Sequence, residues 1–415
     1  MTSGHDRSVG QRPNILVIFS DQQHWRALGH QDGFFETPNL DRLAEEGTRF
    51  ERAFCTTPQC SPSRSSIVTG LYPSTTGVMG NIGADGGTPL AMPTVATTLR
   101  RLGYRTGYFG KWHLGHDATG MAGWDASFGV KESFRPTDAV TTENALTFLA
   151  EYPADGRPFA LFLSYNDPHD IYDFDPDDFV HPADAALSPS WQGQAFEQVP
   201  AVQAQFMTED QGTRLYGRDR ETWEAYHAFY REKVRIYDAH VGRVLDALAN
   251  AGLDERTVVV ATSDHGDMDA HHRLIFKGPF MYDEMIRIPL IVRVPEALGG
   301  RGGRCIGDRD VVNTDLAPTL VELAGGEPPT CDGISLAPLL VGTGSVPRRD
   351  DVVAQYHGKQ RWVNPIRTIR TAAYKYNRYL LHGEELYDLR SDPHELVNLA
   401  DDPGYQAVKR VLRSE

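Results

Sequence analysis

The spacing of apolar positions changes several times along the 415-residue chain, and each change predicts an element. Asn14-Ile-Leu-Val-Ile-Phe-Ser20 is a continuous apolar run, as in a parallel strand covered on both faces. Thr37-Pro38 opens a helix through Asp41 to Glu46, stopped at Gly47. Residues 94–102 read as a helix ended by Gly103, and 104–109 as the next strand. Thr141-Thr142-Glu143 predicts a helix start with Leu146 and Leu149 on one face, and 159–164 another strand. The longest signal is Trp223, Tyr226, Tyr230, Val234, Tyr237, Val241, Val244 and Leu248, closed by Gly252. Steps of three or four make it one apolar stripe of a long helix. Residues 258–262 and 288–294 read as strands, and 313–324 as a helix.

This alternation predicts an α/β fold, a mixed and mainly parallel sheet sandwiched by helices. Two stretches break it. Residues 170–220, rich in Pro, Asp and Gln, predict long loops around the mouth of a site, and 295–309 a Gly/Arg loop. After Val341 the pieces 351–355, 367–371 and 374–381 predict a small antiparallel C-terminal subdomain. The expected organisation is a flexible segment 1–12, a main α/β domain 13–341 and an α+β subdomain 342–415.

Composition narrows the function. A hydrophobic content of 40% with 17 Tyr and 18 Phe supports a large core. The net charge of -15 argues against a nucleic-acid binder, which needs clustered Lys and Arg. It does not exclude a small anionic substrate, because local cations and a metal bind anions inside acidic proteins. Cys55, Cys60, Cys305 and Cys331 form no CxxC pair, no zinc template and no disulfide framework. The polar start, with Arg7 and Arg12, and the short run 15–19 resemble neither a signal peptide nor a membrane span. The expectation is a cytoplasmic protein with no membrane partner.

Three places carry candidate chemistry. Asp21-Gln22 follows the first strand, and Asp264-His265-Gly266 follows another. Ligands of open parallel sheets bind beyond strand carboxyl ends, and a carboxylate with an amide oxygen suits Ca²⁺ or Mg²⁺. Either pair alone reads equally well as a solvated turn; together they favour a metal. The third place is Cys60-Ser-Pro-Ser-Arg64, with Ser61 as cap and Pro62 as the first helical residue. Cys60 then lies near a helix N-terminus, where the dipole and Arg64 favour an anion. Three readings stay open there: a packed cysteine, a thiolate nucleophile, or a modified nucleophile.

Cys60-Ser-Pro-Ser-Arg64 resembles the sulfatase signature, in which the Cys is oxidised to Cα-formylglycine, and Leu71-Tyr-Pro73 and Gly77-Val78 are similar to the family's residues C-terminal to that signature. Further resemblances come in family order: Gly110-Lys-Trp-His113-Leu-Gly115, Asp167-Pro168-His169, Asp264-His265-Gly266, Lys277, and Glu385-Leu-Tyr-Asp-Leu389 with Asp392-Pro393 and Asn398-Leu399. They cover roughly 12–402. The resemblance implies the alkaline phosphatase superfamily fold and sulfuric ester hydrolysis. It implies one divalent cation, usually Ca²⁺, on Asp21, Gln22, modified Cys60, Asp264 and His265; Mn²⁺ and Mg²⁺ are alternatives. It implies a hydrated aldehyde whose hydroxyl attacks sulfur, with Asp264 accepting its proton. Arg64, Lys111 and Lys277 would neutralise the sulfate oxygens. His169, with Lys277, would protonate the leaving alcohol, and His113 would help expel sulfate. Asn81 and His272 match positions near the substrate. A formylglycine-generating enzyme becomes an expected partner during maturation.

Departures set the alternatives. Asp-Gln and Asp-His, in place of the acid pair and Asp-Asn of many arylsulfatases, resemble carbohydrate sulfatases and phosphonate monoester hydrolases. The substrate expected is therefore a sulfated sugar, with a phosphonate monoester or phosphodiester as runner-up. Lys111-x-His113 favours sulfate, since the phosphonate enzymes generally lack it. An inactive binding protein is the third reading. Arg273 stands where Gly is usual. His271 reads as a surface histidine, Trp25 and Trp124 as core, and His357, Arg361 and Asn364 as walls of the leaving-group pocket.

Overall fold

The computed structural model describes residues 12–83, 87–120, 123–128, 137–152, 156–182, 184–192, 196–359 and 362–414. Its centre is the predicted first strand, Asn14–Asp21, buried along its whole length. It pairs in parallel with Phe159–Pro168 on one side and Thr257–Ser263 on the other. Arg105–Gly110 and Ala126–Phe128 extend the parallel part. Beyond Thr257–Ser263 come antiparallel Leu290–Arg293, then Thr48–Phe50 and Arg304–Ile306, making eight strands among the described residues.

Alternation along the central strand divides the core into two layers. Leu16 and Ile18 pack with Tyr237, Val241, Val244 and Leu248 of the long helix. Ile15, Val17 and Phe19 face the other layer, with Ile67, Val68 and Leu320. The helix on the first face, Arg220–Asn250, is 31 residues long, and the Asp219 carboxylate caps it by accepting from the Thr222 N–H at 2.9 Å. Helices Cys60–Thr69 and Leu316–Leu323 cover the second face. The sandwich is the expected α/β fold. No helix among the described residues is long and apolar enough to cross a membrane.

Several elements differ from expectation. The run 288–294 is two strands split at Pro289, which has no N–H to donate. Arg287–Ile288 pairs with Ala53–Phe54 in a separate small sheet, and Leu290–Arg293 joins the main one. The helix expected at Thr141 begins at Asp138, because the Thr137 side chain already caps it. The segment 170–220 is not all loop. Helix Ala201–Glu209 forms within it by burying Val202, Phe206 and Met207. The C-terminal sheet is a four-stranded antiparallel meander, Asp351–Lys359, Trp362–Thr371, Tyr374–Tyr379 and Gly383–Asp388. Its fourth strand lacks clean alternation, because Glu385 is fully buried on hydrogen bonds from Gln203, Asn377, Tyr379 and Tyr387.

Candidate active site

The parallel strands deliver their last residues to one place. Asp21 ends the central strand, Asp264 and His265 follow Thr257–Ser263, and Lys111 follows Arg105–Gly110. The close approach behind Lys111 requires Gly110, where φ is +100° and a Cβ would lie 1.9 Å from the Ser164 carbonyl oxygen.

Cys60 arrives from the opposite layer. Helix Cys60–Thr69 starts at Cys60 itself, with extended Gln59 as its cap, rather than at Pro62 with Ser61 as cap. The N–H that Ser61 would leave open is bound by the Asn81 side-chain oxygen at 3.0 Å. Gln59 is held in turn by donation to the Gly358 carbonyl of the C-terminal sheet, at 2.6 Å.

Around the Cys60 sulfur stand Lys277 Nζ at 2.8 Å, His265 Nε2 at 3.4 Å, Asp21 Oδ1 at 3.6 Å and Lys111 Nζ at 3.7 Å. Lys111 also pairs with Asp21. Burial and Asp21 oppose ionisation of the thiol, but the Lys111 and Lys277 ammonium groups outweigh them and hold its pKa well below the ordinary value. Burial likewise opposes ionisation of Asp21, yet Lys111, His169, Lys277 and Arg64 keep it an anion. Asp264 is pushed up by burial and by Asp21. Arg64 lies beneath these groups. It donates Nε to Asp264 at 2.8 Å, Nη2 to Asp21 at 3.0 Å, and Nη1 to the Lys111 carbonyl and the Ser164 hydroxyl, each at 2.6 Å.

Asp21, Cys60, Asp264 and His265 each present a ligand atom, all within 4.8 Å of one another and buried. His265 Nδ1 donates to the Gly266 carbonyl at 2.9 Å, so its Nε2 lone pair faces the cluster. Gln22 turns away from the strand at φ +74°, and its side-chain oxygen is buried without a hydrogen bond. Four lone-pair donors in contact, beside an unsatisfied amide oxygen, fit a divalent cation.

The other expected residues divide. His113, at φ +56°, has Nε2 3.1 Å from the Ile82 carbonyl and a buried Nδ1 without a partner. His169 is buried against Tyr172, with ring centroids 4.9 Å apart. His272 is not brought to the cluster; its ring stacks on Tyr282 at 3.9 Å, and burial, then Lys375, push its pKa down to about 3. His271 is not a surface histidine: it is buried, with Nδ1 2.7 Å from the Ser190 hydroxyl, because the segment expected as loop folds over it. Trp124 is core, whereas Trp25 is half-buried under the Arg287 guanidinium. His357 is exposed, Asn364 is buried, and Arg361 lies outside the described residues. The site also contains Tyr172, Ser164 and Asp267, which no motif had marked.

The model described as sulfatase matches residues 13–326, and that described as N-sulphoglucosamine sulphohydrolase, C-terminal, matches 271–415. The chain belongs to the sulfatase family. Within it, the chain is 30% identical to a Delta 4,5-hexuronate-2-O-sulfatase of Bacteroides thetaiotaomicron, over 96% of this chain and 86% of the relative. The solved structure of a 2-O GAG sulfatase superposes with a TM-score of 0.85 at 29% identity, covering 97% and 90% of the two chains. The phosphonate monoester hydrolase of Agrobacterium radiobacter superposes at 0.80 with 25% identity, covering 97% and 94%.

Proposed function

We propose that this sulfatase hydrolyses a sulfate ester of a sulfated carbohydrate. Residue 60 is then a formylglycine, and Asp21, Gln22, Asp264, His265 and residue 60 hold one divalent cation, Ca²⁺ first and Mn²⁺ or Mg²⁺ next. Bound there, the cation would supply Lewis-acid charge and the oxidised residue 60 a hydroxyl nucleophile. Lys111 and Lys277 flank position 60 and would balance charge on the sulfuryl oxygens. Arg64 spends four N–H groups on Asp264, Asp21, the Lys111 carbonyl and Ser164. Its part is to hold the two carboxylates in place rather than to touch substrate. Asp264, with its raised pKa, would take the nucleophile's proton. His169 would protonate the leaving oxygen, and His113 would assist departure of sulfate.

The observation that carries sulfate over phosphonate is Lys111 beside Cys60 with His113 two residues on. The hexuronate sulfatase relative supports a sugar as leaving group. The likeness to a phosphonate monoester hydrolase keeps that chemistry as the second reading.

Rates on 4-nitrophenyl sulfate, an aryl phosphonate monoester and a panel of sulfated mono- and disaccharides decide between them. A clear preference for the phosphonate sinks the proposal, and aryl sulfate turnover with no sugar turnover sinks its substrate class. Mass spectrometry of the peptide bearing residue 60, after co-expression with a formylglycine-generating enzyme, must show the aldehyde. Intact thiol alone would leave an inactive binding protein as the better reading.

A further inference from the structure

We infer that Asp267 is a positioning residue for the metal site: it holds the Gln22 amide so that its oxygen is the atom offered to the cation. This rests on reading Asp21, Gln22, Asp264 and His265 as ligands. Gln22 is fixed along its backbone, where its N–H donates to Asp264 Oδ1 at 3.1 Å and its carbonyl accepts from Tyr230 at 2.8 Å. At the end of its side chain, Nε2 donates to the Asp267 carboxylate. An ionised carboxylate only accepts, so the NH₂ must face Asp267 and the oxygen the other way. That oxygen is buried and makes no hydrogen bond. Leaving a buried acceptor unpaired is unfavourable, which marks this oxygen as the atom offered to a ligand.

Asp267 is itself immobilised. Its other oxygen accepts the Asp269 N–H at 2.7 Å. The Asp269 carboxylate sits between His24 Nε2 at 3.1 Å and His227 Nδ1 at 2.9 Å, all three side chains buried. Left-handed backbone at Asp269, Ala270, His272 and Arg273, with φ of 40°, 68°, 57° and 55°, turns this segment tightly enough to make the contacts. Asp267 does for the amide what the Gly266 carbonyl does for the His265 imidazole: an acceptor behind each neutral ligand decides which atom faces forward. A carboxylate at position 22 would meet Asp267 oxygen to oxygen, so the amide and Asp267 belong together.

The test is the Ca²⁺ dissociation constant of the chelator-stripped full chain, by titration calorimetry. In Asp267→Asn the new carboxamide keeps the Asp269 N–H on its oxygen and turns its NH₂ toward Gln22. Gln22 must then reverse, and binding weakens about 10–100-fold. Gln22→Glu in that background restores it to within about tenfold of wild type, one carboxylate oxygen accepting from Asn and the other facing the metal. Gln22→Met weakens binding as much as Asp267→Asn, and combining the two adds nothing more. Wild-type affinity in either single variant, or no recovery in the Glu double variant, overturns the inference. A wild-type chain that binds neither Ca²⁺ nor Mn²⁺ instead refutes the metal site itself, and the inference falls with it.

Discussion

Two buried charge clusters, one around Cys60 and one around Asp283, both set carboxylates beside Lys and Arg, to opposite ends. The second ties helix Asp283–Ile286 to the C-terminal sheet. Asp283 accepts from Arg370 Nη2 and Lys375 Nζ, each at 2.9 Å; Glu395 accepts the Asp283 N–H at 2.7 Å and pairs with Lys375. Burial alone would raise the Asp283 pKa, but Arg370 and Lys375 drive it well below the ordinary carboxylate range. Each of these contacts sets a lone pair against an N–H. Around Cys60 cations reach the cluster too, Lys277 Nζ lying 3.1 Å from His265 Nε2, but lone pairs also converge on one another: Asp21 Oδ1 lies 3.8 Å and Asp264 Oδ1 3.6 Å from that same nitrogen. Arg64 prevents the two carboxylates from separating, at 3.0 and 2.8 Å. A cluster that sets each lone pair against an N–H is a staple, and one whose lone pairs converge has the shape of a cation receptor. Burial and net charge do not distinguish them; the identity of the facing atoms does.

The largest expected effect breaks the receptor without touching the staple. Cys60→Ala removes the proposed nucleophile, and kcat/KM on a sulfate ester falls by about a thousandfold or more. Global stability changes by only about 1 kcal/mol. Retention of a tenth of the activity would show that residue 60 is not the nucleophile. The converse is Lys375→Met, which leaves Glu395 and half of Asp283 without their cation. It destabilises the chain by about 3–5 kcal/mol in urea unfolding, while the folded fraction keeps its kcat. The sign with pH comes from Asp283. A depressed folded pKa contributes stability that is present above the unfolded value near 3.8 and lost as pH falls further. Without Lys375, folded Asp283 takes up its proton at a higher pH than in wild type, so the gap between wild type and Lys375→Met narrows on acidification. A gap that grows on acidification contradicts the account.

The receptor was far more legible in sequence than the staple. Asp21 and Asp264 follow apolar strands, and Cys60 to Arg64 is a local string, so period and motif both point to them. The staple joins Asp283, Arg370, Lys375 and Glu395 across more than a hundred residues, and none belongs to a local pattern. The same limit explains Tyr172, Asp267 and the burial of His271. Each owes its place to the segment 170–220 or to the left-handed turn at 269–273, where neither a hydrophobic period nor a cap signals the fold. Pro289 was readable in principle, since a proline inside a strand pattern argues for a break. Arg64 was found, but only its contacts show that it grips the carboxylates from below.

The smallest expected effect tests the turn that supports the receptor. Arg273 is exposed, holds φ +55°, and places its guanidinium over the Trp191 ring at 4.7 Å. Left-handed backbone in a non-glycine residue costs roughly 1 kcal/mol, and an exposed cation–π contact returns about 0.5–1 kcal/mol. Arg273→Gly removes both, so its stability stays within about 1 kcal/mol of wild type. Arg273→Ala loses the contact and keeps the strain, so it lies below the glycine variant by about 0.5–1 kcal/mol. Paired urea melts of the two variants check the order. An alanine variant as stable as the glycine one would mean that the backbone at 273 relaxes out of the left-handed region. In that case the turn behind Asp267 would be supple, and the receptor would lack the rigidity that its saturated counterpart at Asp283 has.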